Sequence, residues 1–383
     1  MRAPCLLFFM FFLFTASPVL AEESIVLAPR GGGEIRMVVC DGEIPVDLTA
    51  TGLVRFDEYD ALVASLADTW TTSGRGYVWS FHLLPDARLA DGEALSETDI
   101  MASLKSPRTK PVLAALVKKI QVSSDSIVFT LRQRDPSFAR RLAQPPAAIL
   151  LPGRAATGPF RVLRRETDHA VLVPNPHSRI PVRPETLVLL FEPDVARGVF
   201  LVEAGTADIA PVGDDDIARL RAHELFHDRV VYGATRRVHA FVSRRMPHAQ
   251  LLLLRRAIDR ATIARMLLNG RADPLGPAYR PLSASERTRL PSSIRIAERI
   301  GRTSSRRILP RIAYDLRRSG LSCEIVGPDH GHAMMREYAE GELPADAVPL
   351  LDVKPCWLVH PRVKNFIPPR DGRPGVLFAE SRP

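Results

Sequence analysis

The fold of this chain is constrained most by the order of its apolar patterns, in which short strand-like runs alternate with helix-like ones. The strand-like runs occupy residues 34–40, 78–83, 127–131, 187–191 and 322–326, and apolar residues recur at helical spacing over 98–104, 195–204, 251–268 and 307–318. Elements that alternate in this way pack as helices against sheets, so the pattern predicts an α/β protein. A chain of 383 residues is too long for one compact core, which predicts two lobes or domains.

Composition and charge exclude several classes of protein. Hydrophobic residues make up 46% of the chain and charged residues 25%, as in globular proteins and unlike disordered ones. The net charge of +9 comes from 46 arginines and 6 lysines that are scattered along the sequence. Because no run of about five basic residues and no interleaved aromatic platform occurs, we expect no nucleic-acid partner.

The N-terminal segment has the composition of a secretory signal peptide. Arg2 supplies a positive charge, residues 5–14 are apolar, and residues 17–21 offer small side chains up to Ala21. The apolar run is shorter than the roughly 20 residues that span a bilayer, and no later segment reaches that length without charges. We therefore expect residues 1–21 to be removed by cleavage after Ala21, and the mature product to lie in the periplasm.

Three cysteines follow this segment, namely Cys40, Cys323 and Cys356. In an oxidising compartment, three cysteines can form at most one disulfide, which leaves one free thiol. The other possibility is that all three remain free thiols. No Cys-x-x-Cys pair occurs, which argues against a thioredoxin-like redox site or a zinc ribbon. Buried small hydrophobic residues are the simplest interpretation of all three.

Eight groups of short motifs follow one another between residues 52 and 366. They are Gly52-Leu53-Val54 with Leu66-Ala67-Asp68-Thr69-Trp70, Trp79-Ser80-Phe81-His82-Leu83, Asp91-Gly92-Glu93-Ala94-Leu95 with Asp99, Asp135-Pro136-Ser137-Phe138, Thr157-Gly158-Pro159-Phe160, Gly205-Thr206-Ala207-Asp208-Ile209-Ala210, Ala257-Ile258-Asp259-Arg260 with Gly270-Arg271-Ala272, and Pro361-Arg362-Val363-Lys364-Asn365-Phe366. In this order they resemble the family 5 extracellular solute-binding proteins, which are the peptide, nickel and haem receptors of ABC importers.

The resemblance implies a fold and a function. The fold would be the two-lobed periplasmic binding protein-like fold of type II, with crossover strands between the lobes. Residues 22–247 would form the first lobe, completed by 345–383, and residues 248–344 the second. The protein would be a monomer that binds a small-molecule ligand and delivers it to an ABC transporter permease in the inner membrane. The resemblance implies no catalytic residue, metal or cofactor, so we expect a binding protein and not an enzyme.

The chain also departs from the family pattern, chiefly in its second lobe. The region between residues 342 and 348 lacks the stretch that carries, in peptide-binding relatives, the acidic residue that pairs with the ligand's amino terminus. The resemblance therefore implies a reduced second lobe. Because a buried amine needs a carboxylate partner, and arginines outnumber carboxylates over 248–344, we expect an anionic or uncharged ligand. A degenerate homologue that acts as a sensor or accessory protein without transport is the alternative.

Polar and aromatic residues near the expected crossovers are candidates for ligand contacts. His239, Phe241 and Ser243 share one face of a strand-like segment by its period of two, just before the Ala-Ile-Asp-Arg motif. Trp357 lies near the return crossover. The alternative is that these residues serve packing, with Phe241 in the core and His239 at an edge.

One motif suggests a protein of another class. His223-Glu224-Leu225-Phe226-His227 matches the helical zinc motif in which two histidines bind the metal and the glutamate acts as base, which would make the protein a zinc hydrolase. No third ligand follows in a suitable context, so we expect an exposed helix end instead. Asp329 with His330-Gly331-His332 could similarly bind a transition metal but fits a solvated loop, and Asp214-Asp215-Asp216 fits a helix N-terminus.

Overall fold

Sheets of seven, six and four strands form the framework of the chain. The computed structural model describes residues 33–368 and 379–381, except 58, 60, 107–108, 110–112, 124, 152, 155, 234–236, 298–302, 328, 340–342 and 345, and the expected signal peptide lies outside the described residues. The strands are β1 Glu34–Val39, β2 Val54–Phe56, β3 Leu62–Ala64, β4 Ala67–Ser73, β5 Val78–Leu83, β6 Val117–Val122, β7 Ser126–Leu131, β8 Phe160–Arg165, β9 His169–Pro174, β10 Thr186–Phe191, β11 Ile209–Pro211, β12 Val230–Tyr232, β13 Arg237–Ser243, β14 Ala272–Pro274, β15 Ser293–Ala297, β16 Ser322–Val326, β17 Ala333–Ala339, β18 Val348–Val353, β19 Cys356–Val359, β20 Val363–Lys364 and β21 Glu380–Ser381.

Helices lie in several of the connections between these strands. They are α1 Val46–Thr49, α2 Glu97–Leu104, α3 Phe138–Leu142, α4 Val195–Glu203, α5 Asp214–Arg221, α6 His248–Arg256, α7 Arg260–Thr262, α8 Ala284–Arg287 and α9 Thr303–Arg318, with a 3-10 turn at Pro145–Ala147 and a π-helical turn at Ile263–Leu267. The sequence-based strands are all present, and the ends of the predicted elements differ by up to four residues, with one exception described below. Among the described residues, no helix is long and apolar enough to cross a membrane.

β1 lies in the middle of the seven-stranded sheet, whose order is β12-β19-β11-β1-β10-β9-β8. It pairs in parallel with β10 and with β11, and Ile35 and Val38 are almost fully buried. A strand buried on both faces is expected to be apolar throughout, and β10 is apolar from Leu187 to Phe191. β8 is an edge strand, and its residues after Phe160 are exposed.

β13 lies in the middle of the six-stranded sheet, whose order is β14-β18-β13-β17-β15-β16. It pairs antiparallel with β17 and β18, whereas β15 and β16 pair in parallel and are connected by α9. Residues of α6 and α9 share one hydrophobic core with Phe241, Ile296 and Met335. These three side chains therefore mark the helix-covered face of the sheet.

The helix predicted over residues 251–268 is wrong, because the helical backbone is interrupted after Arg256. The interruption is an N-cap at Asp259, whose carboxylate accepts hydrogen bonds from the Thr262 backbone N–H and hydroxyl at 3.1 and 2.7 Å. The Asp259 N–H donates in turn to the Asp315 carboxylate at 3.0 Å. An N-cap residue has non-helical dihedral angles, so α7 starts anew at Arg260.

The chain changes sheet at two crossovers. It leaves the seven-stranded sheet after β12 and enters the six-stranded sheet at β13, and it returns between β18 and β19. After the return, Trp357 pairs within the seven-stranded sheet, where β19 lies between β11 and β12. The changes of sheet fall between Tyr232 and Arg237 and between Val353 and Cys356, whereas the sequence divides the lobes at 247/248 and 344/345.

Candidate functional site

A cavity of about 630 Å³ opens beside the edge strand β8 of the seven-stranded sheet. Its apolar lining comes from Ile44 after β1, from residues 149–151 and from Val162 on β8. The charged lining consists of three arginines and two carboxylates, namely Arg154, Arg161, Arg165, Glu43 and Asp91. Small-molecule sites typically enclose roughly 300–1,000 Å³ with a mainly apolar lining and a few polar groups. The cavity therefore has the size and chemistry of a site for a small solute.

Thr157 and Gly158 hold two walls of this cavity together. The Thr157 hydroxyl donates to Ile149 O at 2.7 Å and accepts from the Thr51 N–H at 3.2 Å. The Gly158 N–H donates to Thr49 O at 3.0 Å. A Cβ on Gly158 would lie 2.5 Å from the backbone nitrogen of Ala50, so only glycine permits this approach. The Thr-Gly-Pro-Phe motif thus places α1 against the 149–157 segment.

A Gly158→Ala variant is expected to lose about 1–3 kcal/mol of unfolding free energy, because its methyl group must push two backbone segments apart. Urea denaturation followed by circular dichroism measures the loss. Gly327→Ala is the matched control, since no atom lies within 4 Å of a Cβ built there and its backbone needs no positive φ. Equal stabilities of the two variants would contradict the assigned role of Gly158.

Arg154 is held by carboxylates at the mouth of the cavity. Its guanidinium donates to both Asp99 and Glu93, which raises the pKa of Arg154. Burial alone would raise the pKa of Asp99, but hydrogen bonds from Ser96 and Arg154 bring it below its usual value. Asp99 also forms a capping box with Ser96 at the start of α2. The charge of Arg154 is therefore already compensated within the protein.

Arg161 and Arg165 are the two other arginines of the cavity lining, and they are the candidates for contact with a ligand. The Arg165 guanidinium donates to Gly42 O at 3.2 Å and lies 3.7 Å from the Glu43 carboxylate. Its Cζ is 5.4 Å from the Phe191 ring centroid, which orients it by a cation–π contact. Arg161 makes no ion pair with any described residue. Neither arginine was identified as a site residue by the sequence analysis. Their position directly after the Thr-Gly-Pro-Phe motif could have indicated them.

The four residues predicted to contact the ligand lie away from this cavity. Phe241 is fully buried in the core under α6 and α9, and His239 is 3% exposed on the same strand. The Ser243 hydroxyl donates to Met246 O at 2.5 Å and closes a turn. Trp357 is half-buried and packs over Gly233 beside the crossover. Their ligand contacts stay a prediction. Phe241 lies in the core, as in the alternative interpretation, whereas His239 is buried on a strand inside the sheet and not at an edge.

The His-Glu-x-x-His segment does not lie on a helix. α5 ends at Arg221, and residues 222–228 form turns. The Nδ1 atom of His223 accepts from the Leu225 N–H at 3.2 Å, and the ring lies 5.1 Å from that of Phe226. The zinc motif needs both histidines on one helical face, so the hydrolase interpretation loses its geometric basis.

Two ion pairs connect the sheets through the start of α5. Nε and Nη2 of Arg271, which precedes β14, lie 2.5 and 2.8 Å from the Asp214 carboxylate, and both side chains are less than one-tenth exposed. Burial would lower the pKa of Arg271, but the hydrogen bonds and charge of Asp214 raise it above its usual value. Arg271 also donates to Lys354 O at the return crossover, at 2.8 Å. Asp215 pairs with Arg307 of α9 nearer to solvent.

Two buried thiols lie within these sheets. Burial raises the pKa of Cys323 and of Cys356 to about 11 in each case. Such thiols are protonated at neutral pH and are poor nucleophiles or metal ligands. For these two cysteines, the structure agrees with the interpretation as small hydrophobic residues.

Comparison with known proteins gives a family match over most of the chain. The model described as "Bacterial extracellular solute-binding proteins, family 5 Middle" matches residues 61–292. No curated protein sequence matches the chain. The family match covers most of the cavity lining, β13 and the start of α5.

Solved structures of similar fold extend over nearly the whole chain. NikZ from Campylobacter jejuni in complex with Ni(L-His) has a TM-score of 0.75 at 13% identity and covers 92% of this chain and 100% of its own. The protein AgaA from A. tumefaciens R10 in complex with agropinic acid has 0.73 at 14%, covering 91% and 99%. DppA from Helicobacter pylori in complex with the peptide STSA has 0.73 at 13%, covering 91% and 98%. At these identities the likeness establishes the fold, which is that of the two-lobed periplasmic binding proteins.

Proposed function

Because this chain belongs to family 5 of the bacterial extracellular solute-binding proteins, we propose that it captures a small solute in the periplasm and delivers it to the permease of an ABC transporter. The cavity beside β8 is the observation that carries the proposal. It combines about 630 Å³ of space with an apolar lining and two arginines, of which Arg161 has no ion pair with a described residue and Arg165 has only the 3.7 Å pair with Glu43. Such a lining retains a small solute through apolar contacts and a few charged hydrogen bonds.

The two-sheet arrangement supports capture by lobe closure. Two crossovers join the sheets, and hinge motion about such connections closes binding proteins on their ligands. We place the lobe division at these crossovers, so that β13 and β18 belong to the second lobe. In this proposal the protein acts as a monomer, with a second lobe reduced relative to the family.

The charge of the solute follows from the arginines of β8. A guanidinium binds carboxylate and phosphate groups through paired hydrogen bonds. Arg161 and Arg165 therefore favour a solute with an anionic group, and an uncharged solute is the next choice. The relatives described above bind a nickel–histidine chelate, agropinic acid and a peptide. We expect an amino-acid-derived or chelate-like solute ahead of an oligopeptide with a free amine.

A thermal-shift screen tests the proposal. The probes are nickel–histidine, opine-like acids, haem and a tripeptide mixture. A true solute should raise the melting temperature, because it binds only the folded state. At one hundred times its Kd it increases the free energy of unfolding by about 2.7 kcal/mol. In the Arg161→Ala, Arg165→Ala double variant the shift should disappear, because each lost charged hydrogen bond contributes about 1.5–3 kcal/mol. Arg183→Ala, an exposed arginine outside the cavity lining, is the control.

The alternative function is that of a sensor or accessory protein without transport. This alternative would be favoured if a solute stabilises the protein but deletion of the permease leaves cellular uptake of that solute unchanged. A shift that survives in the double variant would place the solute outside the cavity beside β8. A response to none of the probes would contradict capture of these solute classes.

A further inference from the structure

A second cluster of basic side chains lies on the six-stranded sheet, away from the cavity beside β8. β15 and β17 pair in parallel with Ala297 opposite Met334. Because side chains alternate along a strand, Arg295 on β15 shares a face with Arg336 on β17. His332, two residues before Met334, continues the same face. The core under α6 and α9 takes the other set of side chains, so this basic cluster occupies the opposite face.

Hydrogen bonding in this cluster leaves a surplus of donors. Both ring nitrogens of His332 face Arg295: Nδ1 is 3.2 Å from the Arg295 backbone nitrogen, and Nε2 is 3.3 Å from its Nη2. Burial, together with the charges of Arg295 and Arg245, lowers the pKa of His332, so the ring is neutral at pH 7. A neutral imidazole accepts at only one nitrogen. Whichever tautomer forms, one N–H of Arg295 faces another donor.

Arg336 is in a similar position on the neighbouring strand. Its Nε donates to the thioether sulfur of Met334 at 3.0 Å, which is a weak acceptor. Among the described side chains, no carboxylate lies within ion-pair distance of Arg295 or Arg336, and the carboxylate of Asp329 pairs with Arg244 instead, at 3.4 Å. Both arginines are half-buried residues, so their side chains lose part of their hydration without gaining a strong partner.

We propose that Arg295, His332 and Arg336 form a binding site for an anion that carries a carboxylate or phosphate group. Such a group supplies acceptors at the point where Arg295 and His332 present opposed donors, and it offers each guanidinium a charged partner. Ala240 and Val242, which lie opposite Arg336 and Met334 on β13, add an apolar floor. The site is independent of solute capture beside β8, because it uses a different sheet.

Isothermal titration with inorganic phosphate and with citrate tests this site. The wild-type protein should bind at least one of the two anions, and Arg295→Gln or Arg336→Gln should weaken binding about tenfold or more, as expected for a lost charged hydrogen bond. Arg318→Gln, an exposed arginine at the end of α9, should bind like the wild type. Binding of phosphate alone or of citrate alone identifies which acceptor chemistry the site prefers.

Two results would overturn the proposal. One is the absence of binding of either anion to the wild-type protein at millimolar concentration. The other is binding that is unchanged in both glutamine variants, which would place the anion elsewhere. The Arg161→Ala, Arg165→Ala variant separates this site from the cavity, since it should keep anion binding here while losing the solute response. If one glutamine variant fails to fold, the other decides the outcome.

Discussion

Replacing Asp214 by alanine is expected to lower the free energy of unfolding by about 3–5 kcal/mol, because the substitution leaves Arg271 buried without a counter-charge. The guanidinium is only 8% exposed, so water cannot take the place of the carboxylate. The effect should be visible as a large fall in the urea midpoint at pH 7. The pair also connects α5 with the strand β14 of the other sheet, so the variant should loosen the contact between the sheets.

A double-mutant cycle separates the ion pair from other effects of the substitution. The Asp214→Ala, Arg271→Met variant removes both charges and should be more stable than Asp214→Ala alone, because no charge then remains buried. Asp86→Ala provides the control, since the Asp86–Arg179 pair has a similar short distance but is exposed to solvent. Exposed pairs contribute little, so this variant should be close to wild type. A similar loss in the two aspartate variants would contradict the structural role of the buried pair.

Replacing Phe129 by alanine is expected to cost about 3–5 kcal/mol, the range for truncation of a buried aromatic residue. Phe129 is fully buried in the four-stranded sheet β4-β5-β7-β6. Its ring makes edge-to-face contacts with Phe81 at 5.8 Å and with Phe138 at 5.2 Å between centroids. Ile149 belongs to the same core, so a cavity at this position should also weaken solute binding beside β8.

Chemical denaturation of the Phe129→Ala variant measures the loss, and solute titration measures the effect on the cavity. Phe200→Ala is the control, because this phenylalanine on α4 is 63% exposed and should change stability by about 0.5 kcal/mol or less. If Phe129→Ala were as stable as Phe200→Ala, the four-stranded sheet would not be a tightly packed unit. Loss of stability with unchanged solute affinity would mean that Ile149 keeps its place without this core.

Local patterns in the sequence were sufficient where neighbouring residues decide the structure. Two examples are the capping box of Ser96 with Asp99 and the helix end at Gly205, which has a positive φ of 73°. Both depend on contacts within a few residues, so the chain encodes them directly. The break at Asp259 was missed because apolar spacing continues through it, and Asp315, which accepts a hydrogen bond from its backbone, comes 56 residues later.

The candidate site illustrates the opposite case. His239 and Phe241 have the residue types and position expected of ligand contacts, yet the strand carrying them lies inside a six-stranded sheet. Burial depends on which strands pair with β13, and those strands come from residues 333–339 and 348–353. Arg161 and Arg165 belong to an ordinary hairpin pattern, and they acquire significance only because the 149–157 segment folds against them.

The α/β class, most element positions and, through the order of the motifs, the family could be predicted from the amino-acid sequence. These properties follow from side-chain periodicity and from backbone requirements that are local along the chain. The position of the sheet changes, the pairing of Asp214 with Arg271, and the placement of Arg295 and Arg336 on one face came from the three-dimensional structure alone. Pairings between residues tens of positions apart depend on strand order, and no local preference specifies that order. The charged contacts that we assign to binding therefore became visible only in the assembled sheets.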